Sequence, residues 1–89
     1  MIDQNSRIIR EELLNEIRDI VSDVFSVEPK EVEEANSFAT DLGADSLLAI
    51  ELLTQLELHF DVAIDEAETP RLMTNLKSAY HVVAESAGW

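Results

Sequence analysis

Residues 41–60 read Asp-Leu-Gly-Ala-Asp-Ser-Leu-Leu-Ala-Ile-Glu-Leu-Leu-Thr-Gln-Leu-Glu-Leu-His-Phe. From Ser46 to Phe60 the apolar residues keep a helical period, and Asp45 is well suited to cap the start. At 100° per residue, with Ser46 at zero, Ala49, Leu52, Leu53, Leu56 and Phe60 fall between about 240° and 340°. That stripe is wide enough to face a core. Ser46, Leu47, Ile50, Glu51, Thr54, Glu57 and Leu58 fall between about 0° and 140°. A purely solvated face would not need Leu47, Ile50 and Leu58, so the second stripe reads as a docking surface. Stray surface aliphatics are the plainer explanation.

Upstream, Ile9, Leu13, Ile17, Ile20 and Val24 recur at spacings of three and four, flanked by Leu14, Val21 and Phe25. They predict a helix over about 7–26, capped by Asn5 or Ser6 and ended ahead of Pro29. Residues 27–44 show no sustained period and are expected to form a long loop, tethered by Val32, Phe38 and Leu42. Such a loop is uncommon in a small domain unless it is functional or pinned down. Gly43 lets the backbone turn sharply before the helix at 46–60. Downstream, 61–69 is a polar connector with Val62 and Ile64 as apolar pins and room for one short helical turn. Thr69 and Pro70 then read as N-cap and first helical position. Leu72, Leu76, Tyr80 and Val83 predict a last helix over about 70–85. No role is legible for Trp89.

The chain has 89 residues, 46% of them hydrophobic and 28% charged, which suits one globular domain. With two glycines and two prolines a meander of many strands is not expected, and the fold class is all-α, a small helical bundle. There are no cysteines for disulfides. Six basic residues against nineteen acidic ones give a net charge of −13, which disfavours nucleic acid and anionic membrane surfaces. Residues 31–70 carry eleven acids and no Lys or Arg. That one-signed stretch fits a basic partner better than mere solubility. No run reaches the length of a membrane span, and the start lacks a signal peptide's basic and apolar regions. With Met1 in first place, the expectation is a free-standing cytoplasmic protein.

Ser46 is the residue of chemical interest. A hydroxyl at the first turn of a helix lies where unpaired N–H groups and the positive dipole end favour an anion. The plain alternative is a second capping hydroxyl. A serine-nucleophile triad is not expected: His59 and His81 are remote in sequence, and His59 lies roughly 20 Å along the helix from Ser46. The acids from Asp41 onward do not make an EF-hand, because Ser46 stands where glycine is required and Leu52 where glutamate is. Zinc would have only two distant histidines.

Asp41-Leu42-Gly43-Ala44-Asp45-Ser46-Leu47 resembles the Asp-Leu-Gly-x-Asp-Ser-Leu signature of acyl carrier proteins. The likeness covers nearly the whole chain. Phe38 precedes the motif by the family's usual interval, and Glu51 stands where these carriers often have an acid. The resemblance implies a four-helix carrier fold with a short or reduced third helix, present as a single domain and a monomer. It implies that Ser46, flanked by Asp45 and Leu47, receives 4′-phosphopantetheine from coenzyme A through a separate transferase. The protein would then carry acyl or polyketide intermediates as thioesters and would not be an enzyme itself. Asp41, Ile50, Glu51, Thr54, Glu57 and Leu58 would meet the partners: the phosphopantetheinyl transferase, a ketosynthase, an acyltransferase and tailoring enzymes with basic docking patches. No nucleic acid or membrane is implied.

Departures refine the expectation. Leu48, Leu58 and His59 stand where bacterial fatty-acid carriers tend to have acids. Thr69-Pro70-Arg71 resembles the stretch before the last helix of many polyketide-synthase carriers, behind a connector that looks shortened. Both favour a polyketide or related pathway over fatty-acid synthesis. Two other readings stand beside this one. A peptidyl carrier of non-ribosomal synthesis is disfavoured by Ala44-Asp45 and by the charge. An acidic helical adaptor would bind partners indifferently to Ser46.

Overall fold

A computed structural model describes residues 9–89, and every regular element in it is helical. The elements are α1 (Glu11–Phe25), α2 (Pro29–Glu34), α3 (Phe38–Asp41), α4 (Ser46–Phe60), a 3-10 turn (Glu66–Glu68), α5 (Thr69–Leu72) and α6 (Leu76–Ala87). The fold is all-α, as expected. Three longer helices form the frame, with α1 packed against α2, α4 and α6, while α5 bridges α4 and α6. None of the described helices is long and apolar enough to cross a membrane.

The helix expected over 46–60 is observed as α4 with those bounds, whereas the other expected boundaries are moved. The first helix starts at Glu11 rather than near 7. Arg10 is extended and has no side-chain cap, and its N–H donates to the Tyr80 hydroxyl (3.0 Å), which ties the helix start to α6. The proposed caps Asn5 and Ser6 lie outside the described residues. Ser26 ends α1 in the left-handed conformation. The expected loop over 27–44 contains α2 and α3. Pro29 disfavours helix at the residue before it, yet its fixed φ suits a first helical position, so it separates α1 from α2 by starting the second. Ser37 caps α3, its Oγ accepting from the Thr40 N–H.

The expected last helix over 70–85 is two helices. Leu72, Leu76 and Tyr80 keep helical spacing across the break, which is why periodicity alone predicts continuity. Asn75 caps α6 through the Ser78 N–H, and the Met73 and Thr74 carbonyls accept from the Phe38 N–H (3.1 and 3.0 Å). Thr69 is not the N-cap. It lies inside α5, with Oγ1 donating to the Glu66 carbonyl.

The core gathers one face of every longer helix. Ile17 and Val21 of α1, Leu52 and Leu56 of α4, and Ala79, Val82 and Val83 of α6 are essentially inaccessible. The centre of the α1 face is therefore Ile17, Val21 and Phe25, while Ile9, Leu13, Ile20 and Val24 pack around its edge. Val32 and Phe38 anchor the segment between α1 and α4, as expected, and Phe38 meets Phe25 edge-on at 5.7 Å. Trp89 gains a place that its sequence position did not suggest, against Phe60 and Tyr80 at 5.2 and 5.5 Å.

Few ion pairs cross between elements. Arg18 joins α1 to α2 through Glu33, and Arg71 joins α5 to α6 through a two-pronged contact with Glu85 (3.0 and 2.9 Å). The Arg71 guanidinium, with a smaller contribution from His81, holds the Glu85 carboxyl below the ordinary carboxylate range. A carboxyl depressed in the folded state adds stability above its unfolded pKa and loses it as pH falls through the folded one. Glu85→Gln should therefore lower the denaturation midpoint near neutral pH, and the gap from wild type should narrow progressively as the pH falls below the ordinary carboxylate range. A gap independent of pH would contradict this.

Candidate functional site

The segment before α4 is fixed by acids bonded to backbone. One Asp41 carboxylate oxygen accepts from the N–H of Asn36 (2.8 Å) and of Ser37 (3.4 Å), folding α3 back on its own start. Gly43 follows with φ +66, the left-handed value the turn requires, and a Cβ there would meet nothing within 4 Å. The barrier to substitution at Gly43 is therefore conformational, not steric. The Ala44 N–H then donates to the Phe38 carbonyl (3.3 Å), so the chain reaches Asp45 from a position set by a buried aromatic.

Asp45 is extended, and its side chain accepts from the Leu48 N–H (3.0 Å). It therefore performs the capping and leaves Ser46 without that task. Ser46 is the first residue of α4 and is exposed, and no hydrogen bond among the described residues engages its hydroxyl. The first helical bond runs from the Ala49 N–H to the Asp45 carbonyl, so the N–H groups of Ser46 and Leu47 precede the helical ladder. A phosphodiester on Ser46 Oγ would sit beside this positive end.

A shallow groove of about 260 Å³ opens beside the hydroxyl. Its walls are Ala44, Ser46 and Ala49 on one side and Thr69, Pro70 and Met73 on the other. The Thr69 hydroxyl is occupied with the Glu66 carbonyl, which leaves the lining largely apolar. The residues present thus fit a phosphopantetheine group: a free hydroxyl to bear it, a helix end for its phosphate, and an apolar wall beside it. Among the described residues, no three His, Cys, Asp or Glu side chains are grouped to hold a metal ion.

The second face of α4 is open along its length. Leu47, Ile50 and Leu58 are 71%, 60% and 71% exposed and share this face. Glu51 and Thr54 lie exposed on the same face, with the Thr54 hydroxyl donating to the Ile50 carbonyl. Glu57 departs from expectation. It is half-buried at the core edge of the stripe, and its carboxylate accepts from the Ile64 N–H (2.8 Å), holding the connector against α4. Asp41 and Asp45 likewise use carboxylate oxygens on backbone. His59 is at the far end of α4, 2.9 Å from Glu16 of α1, and is no base for Ser46. The groove walls Pro70 and Met73 had no signal in the sequence, because only the α4–α5 packing brings them to Ser46.

Removing these caps should cost stability without touching the hydroxyl. Asp45→Ala is expected to cost about 1 kcal/mol. Glu57→Ala should cost about 1–3 kcal/mol, since it strands a part-buried N–H. Urea denaturation measures both, and a wild-type midpoint for either would show that its bond carries nothing.

Comparison with known proteins agrees with this geometry. The family model for the phosphopantetheine attachment site matches residues 15–69, more than half of the chain. The polyketide-8 synthase acyl carrier protein 1 of Streptomyces avermitilis is 46% identical over 72 residues, covering 81% of this chain and 84% of that protein. An acyl carrier protein of Thermosynechococcus vestitus is 44% identical over 63 residues, covering 71% of this chain and 78% of the other. Among solved structures, a chain from one described as the ishigamide ketosynthase/chain length factor superposes with a TM-score of 0.74 at 36% identity. The match covers 90% of this chain and 100% of that one. With its helical fold, its signature loop and these relatives, the chain belongs to the acyl carrier proteins, non-catalytic carriers whose prosthetic group is 4′-phosphopantetheine.

Proposed function

We propose that Ser46 is the residue bearing the prosthetic group, and that the protein serves polyketide assembly in the cytoplasm as a monomeric single-domain carrier. One observation carries the assignment. Ser46 presents an exposed hydroxyl at a helix N-terminus whose capping is already performed by Asp45. When bound, the group supplies a thiol at the end of a flexible arm, on which acyl or polyketide chains ride as thioesters.

This chain's own residues hold and present the attachment point. Asp41 and Phe38 fix the approach to α4, Asp45 caps it, and the helix end favours the phosphate charge. Neither His59 nor His81 lines the groove at Ser46, and the hydroxyl proton is left to a separate phosphopantetheinyl transferase. Leu47, Ile50, Glu51, Thr54 and Leu58 form an apolar strip edged by acid, suited to basic docking patches on the transferase, a ketosynthase or an acyltransferase. The polyketide assignment is supported by the Streptomyces relative's name, by the ketosynthase/chain length factor structure and by Leu48, Leu58 and His59 on α4.

Incubation with coenzyme A and a broad-specificity transferase should add one phosphopantetheine mass to wild type and none to Ser46→Ala. An equal gain on both would place the group elsewhere. For the docking strip, Ile50→Ala and Leu47→Ala should each weaken transferase or ketosynthase binding several-fold while folding stability stays within about 0.5 kcal/mol. Unchanged affinity in both would remove the strip from partner recognition.

A further inference from the structure

The two walls of the groove beside Ser46 are not anchored alike. α4 has fifteen residues and sets Ala49, Leu52, Leu53 and Leu56 into the core. α5 has four, too few to hold a helical turn without help from its surroundings. Of those four only Leu72 is fully buried, and just beyond it the Met73 and Thr74 carbonyls accept from the Phe38 N–H. That end of α5 is a pivot. The other end, Thr69 and Pro70, faces the groove without a comparable anchor.

Arg71 holds this second end. Its guanidinium reaches α6 through two near-parallel bonds to the Glu85 carboxylate (3.0 and 2.9 Å) and reaches the preceding 3-10 turn through Glu68 (2.8 Å). One side chain thereby fastens three segments, and Ser78 Oγ adds a bond to the Arg71 carbonyl (2.7 Å). A forked arginine–carboxylate contact fixes direction as well as distance. Yet the Arg71 and Glu85 side chains are 46% and 61% exposed, so water and salt compete with the contact.

We propose that the Arg71–Glu85 fork is a weak latch that holds α5 at its resting distance from α4, and so sets how far a group tethered at Ser46 is sheltered by the groove. The shelter rests on the assignment of Ser46 above; the latch does not. Arg71 and Glu85 are positioning residues, since neither lines the groove. Opening swings the Thr69–Pro70 end about Leu72 and leaves the α4 wall in place.

Amide hydrogen exchange on the unmodified protein tests the latch directly. In Glu85→Gln and in Arg71→Met, the Met73 and Thr74 amides should gain about three- to tenfold more in exchange rate than Leu52 and Leu56 of α4 and Val82 and Val83 of α6, whose rates follow only the change in global stability. Since Arg71→Met also removes the Glu68 bond, the double variant should add nothing to Arg71→Met, as two partners of one contact require. High salt should accelerate the same amides in wild type and not in the variants. Uniform acceleration, additive effects or unchanged rates would overturn the latch. The shelter is then read on carriers loaded with octanoyl-phosphopantetheine. Hydroxylamine should cleave the thioester faster in Glu85→Gln than in wild type, and equal rates would overturn that part. If wild type accepts no group from coenzyme A, the Ser46 assignment fails, and the exchange data still decide the latch.

Discussion

A hydroxyl can be offered to a separate enzyme only if its own fold makes no use of it. Serine at the start of a helix ordinarily satisfies the orphan N–H groups there, which would lock its oxygen inward. Here the preceding residue takes that task. The Asp45 carboxylate accepts from the Leu48 N–H, and Asp41 does the same for Asn36 and Ser37 one turn earlier. With these N–H groups taken by two upstream carboxylates, Ser46 begins α4 exposed and unengaged. The modification proposed for Ser46 depends on that division of labour between adjacent residues.

The same habit explains part of the charge. Of the eleven acids in residues 31–70, Asp41, Asp45, Glu57 and Asp65 accept from backbone N–H groups, while Glu33 and Glu68 meet arginines. A chain built from short helices and tight connections needs many caps, and carboxylates supply them. Capping does not cancel charge, so the segment still presents one sign to an approaching enzyme. The acids thus shape the site and colour its field together. Glu57 illustrates the point: its position on the helical wheel suggested docking, and its bond to Ile64 makes it a brace.

How much could be read in advance followed from the range of the interactions. The α4 core stripe was legible because Ala49, Leu52, Leu53 and Leu56 obey a local period, and all four are buried. Val32, Phe38 and Ile64 were legible as anchors because isolated apolar residues in polar segments have few other uses. Helix ends were less so. The break at Met73–Asn75 interrupts an unbroken apolar spacing, and its causes include bonds from Phe38, thirty-five residues away in the chain. The two helices between Val27 and Ala44 leave no periodic signal because neither, at six and four residues, is long enough to repeat the 3.6-residue period. Ser46 itself was marked by its signature, whereas the groove beside it arises only when α5 is packed against α4.

The central claim is that one particular serine, among the seven in the chain, is left free for modification. Its most direct test is fragmentation of the wild-type protein after treatment with coenzyme A and a transferase, followed by mass mapping of the added group. The account predicts the whole of the added mass on the fragment containing Ser46. The group on Ser37, Ser78 or any other residue would contradict it.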